Sequence, residues 1–355
     1  MKAEDIADTP VAGFPEALAV DSNPVHSQID ISLILVSFNT RNVLRESLES
    51  VAREQGSLRL EIFVVDNNSR DGSVAMVEAE FPHVRVIQSE VNLGFGAANN
   101  EALKLARGKY VVLLNSDAFL CPRSLELSIH YMEENPQVGL AGGRLVGRDF
   151  SLQPSARMFP SILSDFLVLT GLAHKFPKSR FFGQFDRTWA DPMQPAEVDW
   201  VPGAYSIIRN EALHQVGFFD PEFFLYSEEV DLCRRIQQGG YKIMYWPDIV
   251  VIHIGGESSR QIKTLEMSSA GAQLVRWRMR STLLYYRKHH GAGAWMAKML
   301  ELALYRLTAL RNSFTSDPAR KERVQKNHNL ARLMHQAWQD TNGGRTSPPR
   351  PWKFD

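Results

Sequence analysis

The chain has 355 residues, 44% hydrophobic and 23% charged, with 23 Gly, 18 Pro and only two Cys. That excludes a disordered, collagen-like or disulfide-stapled protein and leaves ample length for a large buried core. Forty Lys and Arg balance forty Asp and Glu, so a global basic footprint for nucleic acid is excluded.

The balance hides a segregation. Residues 1–30 carry six acids against one Lys, whereas residues 276–335 carry thirteen bases against three acids. Residues 1–29 read as a mobile acidic tail with no basic-then-apolar signal pattern. The core opens with Ile31–Ser37, an apolar run too short for a helix and suited to a buried parallel strand. Similar runs recur at Leu60–Val65, Val84–Ile87 and Tyr110–Leu114, separated by amphipathic stretches at Val43–Arg53, Val74–Phe81 and Ala97–Ala106. This alternation predicts βαβ units and a doubly wound sheet.

Beyond residue 140 the pattern loosens. Residues 151–198, rich in Phe, Pro and Arg, form a partly ordered insertion of the kind that serves as a lid or faces an acceptor. Short strands are predicted at Ala204–Ile208, Lys242–Tyr245 and Ile249–Ile252, with a helix over Glu229–Gln238 closed by Gly239-Gly240. Residues 263–335 form a basic helical extension, and 336–355 a disordered tail. Cys121 and Cys233 lie far apart outside any C-x-x-C pattern, which suits a reducing cytosol.

Five motifs carry chemistry. Asp66 leaves a strand into Asn-Asn-Ser-Arg-Asp-Gly, beyond the carboxyl edge where α/β sheets meet ligands; a carboxylate there accepts from a base N–H or a ribose hydroxyl. The alternative is a polar turn with a helix cap. Asn92-Leu-Gly94-Phe-Gly96 allows close backbone approach ahead of a helix N-terminus, but it lacks the third glycine of a dinucleotide fingerprint. In Asn115-Ser-Asp117, an apolar strand delivers Asp117 to the sheet edge. A hard cation such as Mg²⁺ or Mn²⁺ takes one or two carboxylates and fills its shell with water and diphosphate oxygens, a role Asp117 suits while Asn115 orients a nucleotide sugar. Tyr226-Ser-Glu228-Glu229-Val-Asp231 crowds three acids at a helix start behind aromatic residues. That exceeds capping needs and suits one carboxylate for base work, with Asp231 either at the pocket or paired to Arg234 or Arg235. His253 ends a strand ahead of Gly255-Gly256, where an imidazole joins a carboxylate as a metal ligand or serves structure alone.

In this order, the motifs resemble the family 2 inverting glycosyltransferases of the GT-A fold, rhamnosyltransferase-like branch, over about residues 31–290. The marks include Ser37-Phe-Asn39, Asp66 through Ser73, Asn92 through Gly96, Asn115-Ser-Asp117, Asp199-Trp-Val-Pro-Gly203, Tyr226 through Asp231 and His253. The resemblance implies a Rossmann-like mixed sheet flanked by helices, with residues 30–262 as the catalytic domain. It implies donor contacts from Ser37, Asn39, Asp66, Asn92, Gly94, Asn115 and Asp117. A Mg²⁺ or Mn²⁺ ion would sit on Asp117 and His253, and Trp200, Gly203 and Asp231 would line an acceptor pocket. Glu229 would be the base, with Glu228 next. Two departures stand out: Asn115 replaces the first carboxylate of the DxD pattern, and Glu229 stands where Asp is usual. The implied reaction moves a sugar, rhamnose by this resemblance, from a dTDP- or UDP-sugar to a cell-surface polysaccharide or lipid-linked glycan. The competing reading is a non-catalytic sugar-nucleotide or glycan-binding scaffold.

The basic extension mixes Arg276, Arg278, Arg280, Arg287 and Lys288 with Trp277, Tyr285 and Tyr286, followed by an apolar stretch broken by Lys298, Glu301 and Arg306. It reads as an in-plane helix on an anionic membrane over 276–311, or as packing on the catalytic domain or a homodimer contact. The expected location is cytoplasmic, at the inner face of the plasma membrane where that contact forms.

Overall fold

The computed structural model describes residues 29–255, 269–313 and 317–348. Of the expected acidic tail, residues 1–28 lie outside the described residues. The first half follows the predicted alternation: β1 (Ile31–Ser37), α1 (Arg41–Glu54), β2 (Leu60–Asp66), α2 (Ser73–Glu80), β3 (Arg85–Gln88), α3 (Phe95–Leu103) and β4 (Tyr110–Asn115). These four strands are mutually parallel in the order β3-β2-β1-β4. Their register aligns Ser37 with Asp66 and Val36 with Asn115, so three strand ends open on one edge.

The second half departs from a doubly wound sheet. It comprises β5 (Ala118–Leu120), α4 (Ser124–Glu134), β6 (Val138–Val146), β7 (Leu152–Gln153), α5 (Ile162–Leu169), α6 (Leu172–Lys175), β8 (Ala196–Val198), β9 (Tyr205–Arg209), α7 (Asn210–Val216), α8 (Glu228–Gln238) and β10 (Lys242–His253). The sheet continues β4-β9-β6-β10-β5, with β9 antiparallel to both β4 and β6. The sheet is therefore mixed, as the family resemblance implies. The two short strands predicted at 242–252 are one strand with a register shift between Trp246 and Val250, where Pro247 has no N–H to give the ladder.

The extension forms α9 (Ser269–His290), α10 (Gly293–Ser313) and α11 (Pro318–Asp340). The expected disordered tail is corrected over residues 336–348, residues 349–355 lying outside the described residues: α11 runs to Asp340, and Thr341 is buried with Gly344 close against the Leu283 carbonyl. Two apolar cores cover the two faces of the sheet. One joins β1, α1, α2 and α4; the other joins α3 and α8 to Met279, Leu283, Leu302 and Met334 of the extension. The α9 helix is thus part of the domain core, and its bases serve internal contacts. Arg276 and Arg280 both bind Asp340, and Lys288 binds Asp220. Among the described residues, no helix is long and apolar enough to cross a membrane.

Candidate active site

The donor edge is built by three loops locked to one another. Asn39, in the left-handed region at φ 53°, accepts from the Arg70 N–H at 2.7 Å, and its own N–H donates to Ser69 Oγ. Ser37 is fully buried in a hydroxyl chain through Thr40 to Ser116, so it braces the strand ends. Asp66 is buried; one oxygen accepts from the Ser69 N–H at 2.9 Å while Oδ1 has no partner. Burying a bare carboxylate oxygen is costly, which marks Asp66 as an acceptor awaiting a ligand N–H or O–H.

Asn67, unremarked in the sequence, ties this loop to the next. Its amide donates to the Gly94 carbonyl at 2.9 Å and accepts from the Leu93 N–H. Asn92 caps its own turn by accepting from the Gly94 N–H. Gly94 takes φ 79°, and a Cβ there would lie 2.0 Å from the Phe224 carbonyl oxygen. Gly94 is therefore required by the close approach of the 217–227 loop that leads into α8. Gly94→Ala is expected to cost about 3 kcal/mol, the sum of backbone strain and displacement of that loop, read as a lower thermal unfolding midpoint.

The strand ends of β4 and β10 bring together Asp117 and His253, with Asp117 Oδ1 3.5 Å from His253 Nε2. Gln153 fixes the imidazole: its amide N–H donates to the His253 carbonyl at 2.7 Å, which turns its oxygen to His253 Nδ1 at 2.9 Å. The proton therefore sits on Nδ1, and the Nε2 lone pair faces a carboxylate oxygen. Two acceptors so placed call for a proton or a cation between them. The spacing suits two ligands of one Mg²⁺ or Mn²⁺, each about 2.1 Å from the ion. Among the described residues, no group of three or more His, Cys, Asp or Glu side chains is placed to hold a metal ion.

Beside this pair lies a cavity of about 640 Å³, lined among others by Gln153, Arg157, Trp200, Tyr226, Glu229 and His253. Arg157 stacks over the Trp200 ring at 5.0 Å. The α8 helix starts after Tyr226 and Ser227, both at positive φ, a strained entry that aims the acids. Glu229 lines the cavity; Glu228 is buried behind it, near Gly96. Each has a carboxylate oxygen without a partner. Burial raises both above the ordinary carboxylate range, Glu228 furthest because the Glu229 charge adds to it.

Asp231 corrects the pocket expectation. It is fully buried away from the cavity and binds Arg235, Lys288 and His289 at 2.9, 2.7 and 2.7 Å. Burial alone would raise its carboxyl, but the His289 hydrogen bond and the Arg235 and Lys288 charges hold it at about 2. Gly203 also stands outside the cavity, against the Phe95 ring, whereas its neighbour Pro202 lines it. The cavity is also lined by residues that no chemistry-bearing motif contained: Asp165 from the insertion, and Arg278, Tyr286 and Glu301 from the extension. Burial pushes Asp165 up to about 6, against the Tyr286 hydroxyl that donates to it at 2.6 Å.

The model of glycosyl transferase family 2 matches residues 32–232, more than half of the chain. The chain belongs to glycosyl transferase family 2. Among relatives of this family 2 chain, N-acetylglucosaminyl-diphospho-decaprenol L-rhamnosyltransferase of Mycobacterium tuberculosis is 28% identical over 203 residues, covering 54% of this chain and 66% of the relative. That is just under two thirds of the relative's length. Rhamnosyltransferase WbbL of Escherichia coli is 25% identical over 266 residues, covering 72% of this chain and 92% of WbbL. Among solved structures, the mannosyltransferase PcManGT of Pyrobaculum calidifontis, in complex with GDP-Man and Mn²⁺, aligns at TM-score 0.50 and 17% identity over 95% of this chain and 93% of its own. GalNAc-T7, with UDP, GalNAc and Mn²⁺, aligns at 0.53 and 14% identity over 91% of this chain and 59% of its own. These structural likenesses establish the shared GT-A fold.

Proposed function

We propose that this family 2 chain is an inverting glycosyltransferase that moves rhamnose from a dTDP-sugar, with UDP-sugars the competing donors, to a glycan or lipid-linked glycan in the cytoplasm. The single observation that carries the reading is Glu229: its unpartnered carboxylate lines a cavity that also reaches His253. In the reaction Glu229 removes the proton of an acceptor hydroxyl as that oxygen attacks the anomeric carbon opposite the nucleotide. Asp66 accepts from the base or ribose, and Asp117 and His253 hold a divalent cation. When bound, that ion neutralises charge growing on the departing diphosphate. Rhamnose and the acceptor class are carried over from the names of the two rhamnosyltransferase relatives. The test is product formation from dTDP-rhamnose and from UDP-sugars with and without Mn²⁺. No transfer and no donor hydrolysis from any of them would favour the scaffold reading.

Gln153 acts through His253 and is a positioning residue. Gln153→Ala is expected to raise the Mn²⁺ concentration for half-maximal binding by roughly 10–100-fold, the usual effect of removing a ligand's orienting partner. Paramagnetic titration of bound Mn²⁺ measures this directly, without turnover. An unchanged Mn²⁺ isotherm would remove Gln153 and weaken the cation assignment.

A further inference from the structure

We infer that α5 and α10 together form a docking face for an anionic lipid bilayer, adjoining the cavity; what the placement means for the reaction rests on the functional reading above, while the docking face itself does not. The α5 helix packs against α10. Both helices turn large apolar side chains outward: Leu163 and Phe166 on α5, and Trp295, Met299, Leu307 and Leu310 on α10, with Leu307 61% and Trp295 57% exposed. At 100° per residue the four α10 positions fall within about 120° of one face. A monomer rarely leaves so much clustered apolar surface without a partner.

The charges choose the partner. Within 162–181 and 293–313 the acids Asp165 and Glu301 both turn inward to the cavity. The fully exposed charges are Lys175, Lys178, Arg180, Arg306 and Arg311, all basic. A Trp/Phe/Leu face whose exposed charges are all basic, with Arg306 inside the α10 arc and Arg311 at its margin, is the pattern of a helix lying in the headgroup boundary, its apolar side chains sunk roughly 5–10 Å. The surface is also continuous with the site, because Val168 and Leu169 of α5 line the cavity and remain exposed. A lipid-linked acceptor would then reach Glu229 without leaving the bilayer. The surface differs from the basic stretch 276–290, whose helix is built into the core.

Flotation of the full chain with phosphatidylglycerol-containing or pure phosphatidylcholine vesicles tests this. The chain is expected to float with the anionic vesicles, less with the neutral ones, and less as salt rises. Trp295→Asp with Met299→Asp should cut the floated fraction roughly tenfold or more, and Lys175→Glu with Lys178→Glu should abolish the preference for anionic lipid. Both variants should keep the parent's thermal midpoint. Failure of the parent to float, or equal flotation of the variants, overturns the proposal. So does a parent dimer, by light scattering, that Trp295→Asp with Met299→Asp converts to monomers, since the face would then belong to a second copy. Flotation reads no catalysis, so an inactive chain that floats would overturn the functional reading and leave the docking face standing.

Discussion

Glu229→Gln is expected to lower sugar transfer by about 10²–10⁴-fold while leaving donor affinity within a few-fold of the parent. The substitution keeps the volume of the side chain and removes only its capacity to take a proton. The donor groups, Asp66 and the Asp117–His253 pair, stand on β2, the turn between β4 and β5, and β10, and do not depend on that carboxylate. Quantifying transfer and, separately, donor binding by calorimetry resolves the two effects. Equal turnover of variant and parent would remove Glu229 as the base.

The pH profile gives a second readout of the same group. Burial raises Glu229 above the ordinary carboxylate range, so the base form is lost at a higher pH than for an exposed glutamate. The acidic limb of kcat/KM therefore lies above that of an exposed glutamate, and activity rises with pH through it. Glu229→Asp retains the chemistry but retracts the carboxylate by about one C–C bond (~1.5 Å). It should keep more activity than Glu229→Gln, which separates base strength from reach.

The parallel half of the fold was legible because buried strands such as β1 are uninterrupted apolar runs at βαβ spacing. The strand β6 was not. Its interior carries Gly142 and Gly143, where a Cβ would lie 2.7 Å from the Val201 side chain and 2.4 Å from the Ile249 carbonyl oxygen. Close packing there removed the β-branched signal that marks a strand. At the site, Asp66 and Asp117 were legible because strand ends deliver them to one edge. Gln153, Arg278 and Asp165 were not, because each acts from an element distant in sequence and has no local motif. Asp231 was legible in part: of its two expected roles, pocket or partner of Arg234 or Arg235, the structure takes the Arg235 pairing. It shares a helix start with Glu229, but two positions along a helix turn a side chain by about 200°, onto the far face.

That far face makes Asp231 the strongest structural dependence at the site. Asp231→Asn is expected to lower stability by about 3 kcal/mol, since it leaves Arg235, Lys288 and His289 beside a neutral group in a desolvated position. For a chain of this size the unfolding midpoint should fall by about 4 °C by calorimetry. The same contacts bind α8 to α9, so the cost should appear as loosening of the helix that presents Glu229. The wild-type carboxyl is held at about 2, against 3.8 for the free group. Because the folded value is the lower one, its stabilisation is complete above pH ~4 and is lost as pH falls from ~4 to ~2, amounting to roughly 2 kcal/mol. The variant should lack that part of the acid sensitivity, so parent and variant midpoints should converge as pH drops through this window. Midpoints that stay equally separated from pH 7 to pH 2 would show that Asp231 stabilises by packing rather than by charge.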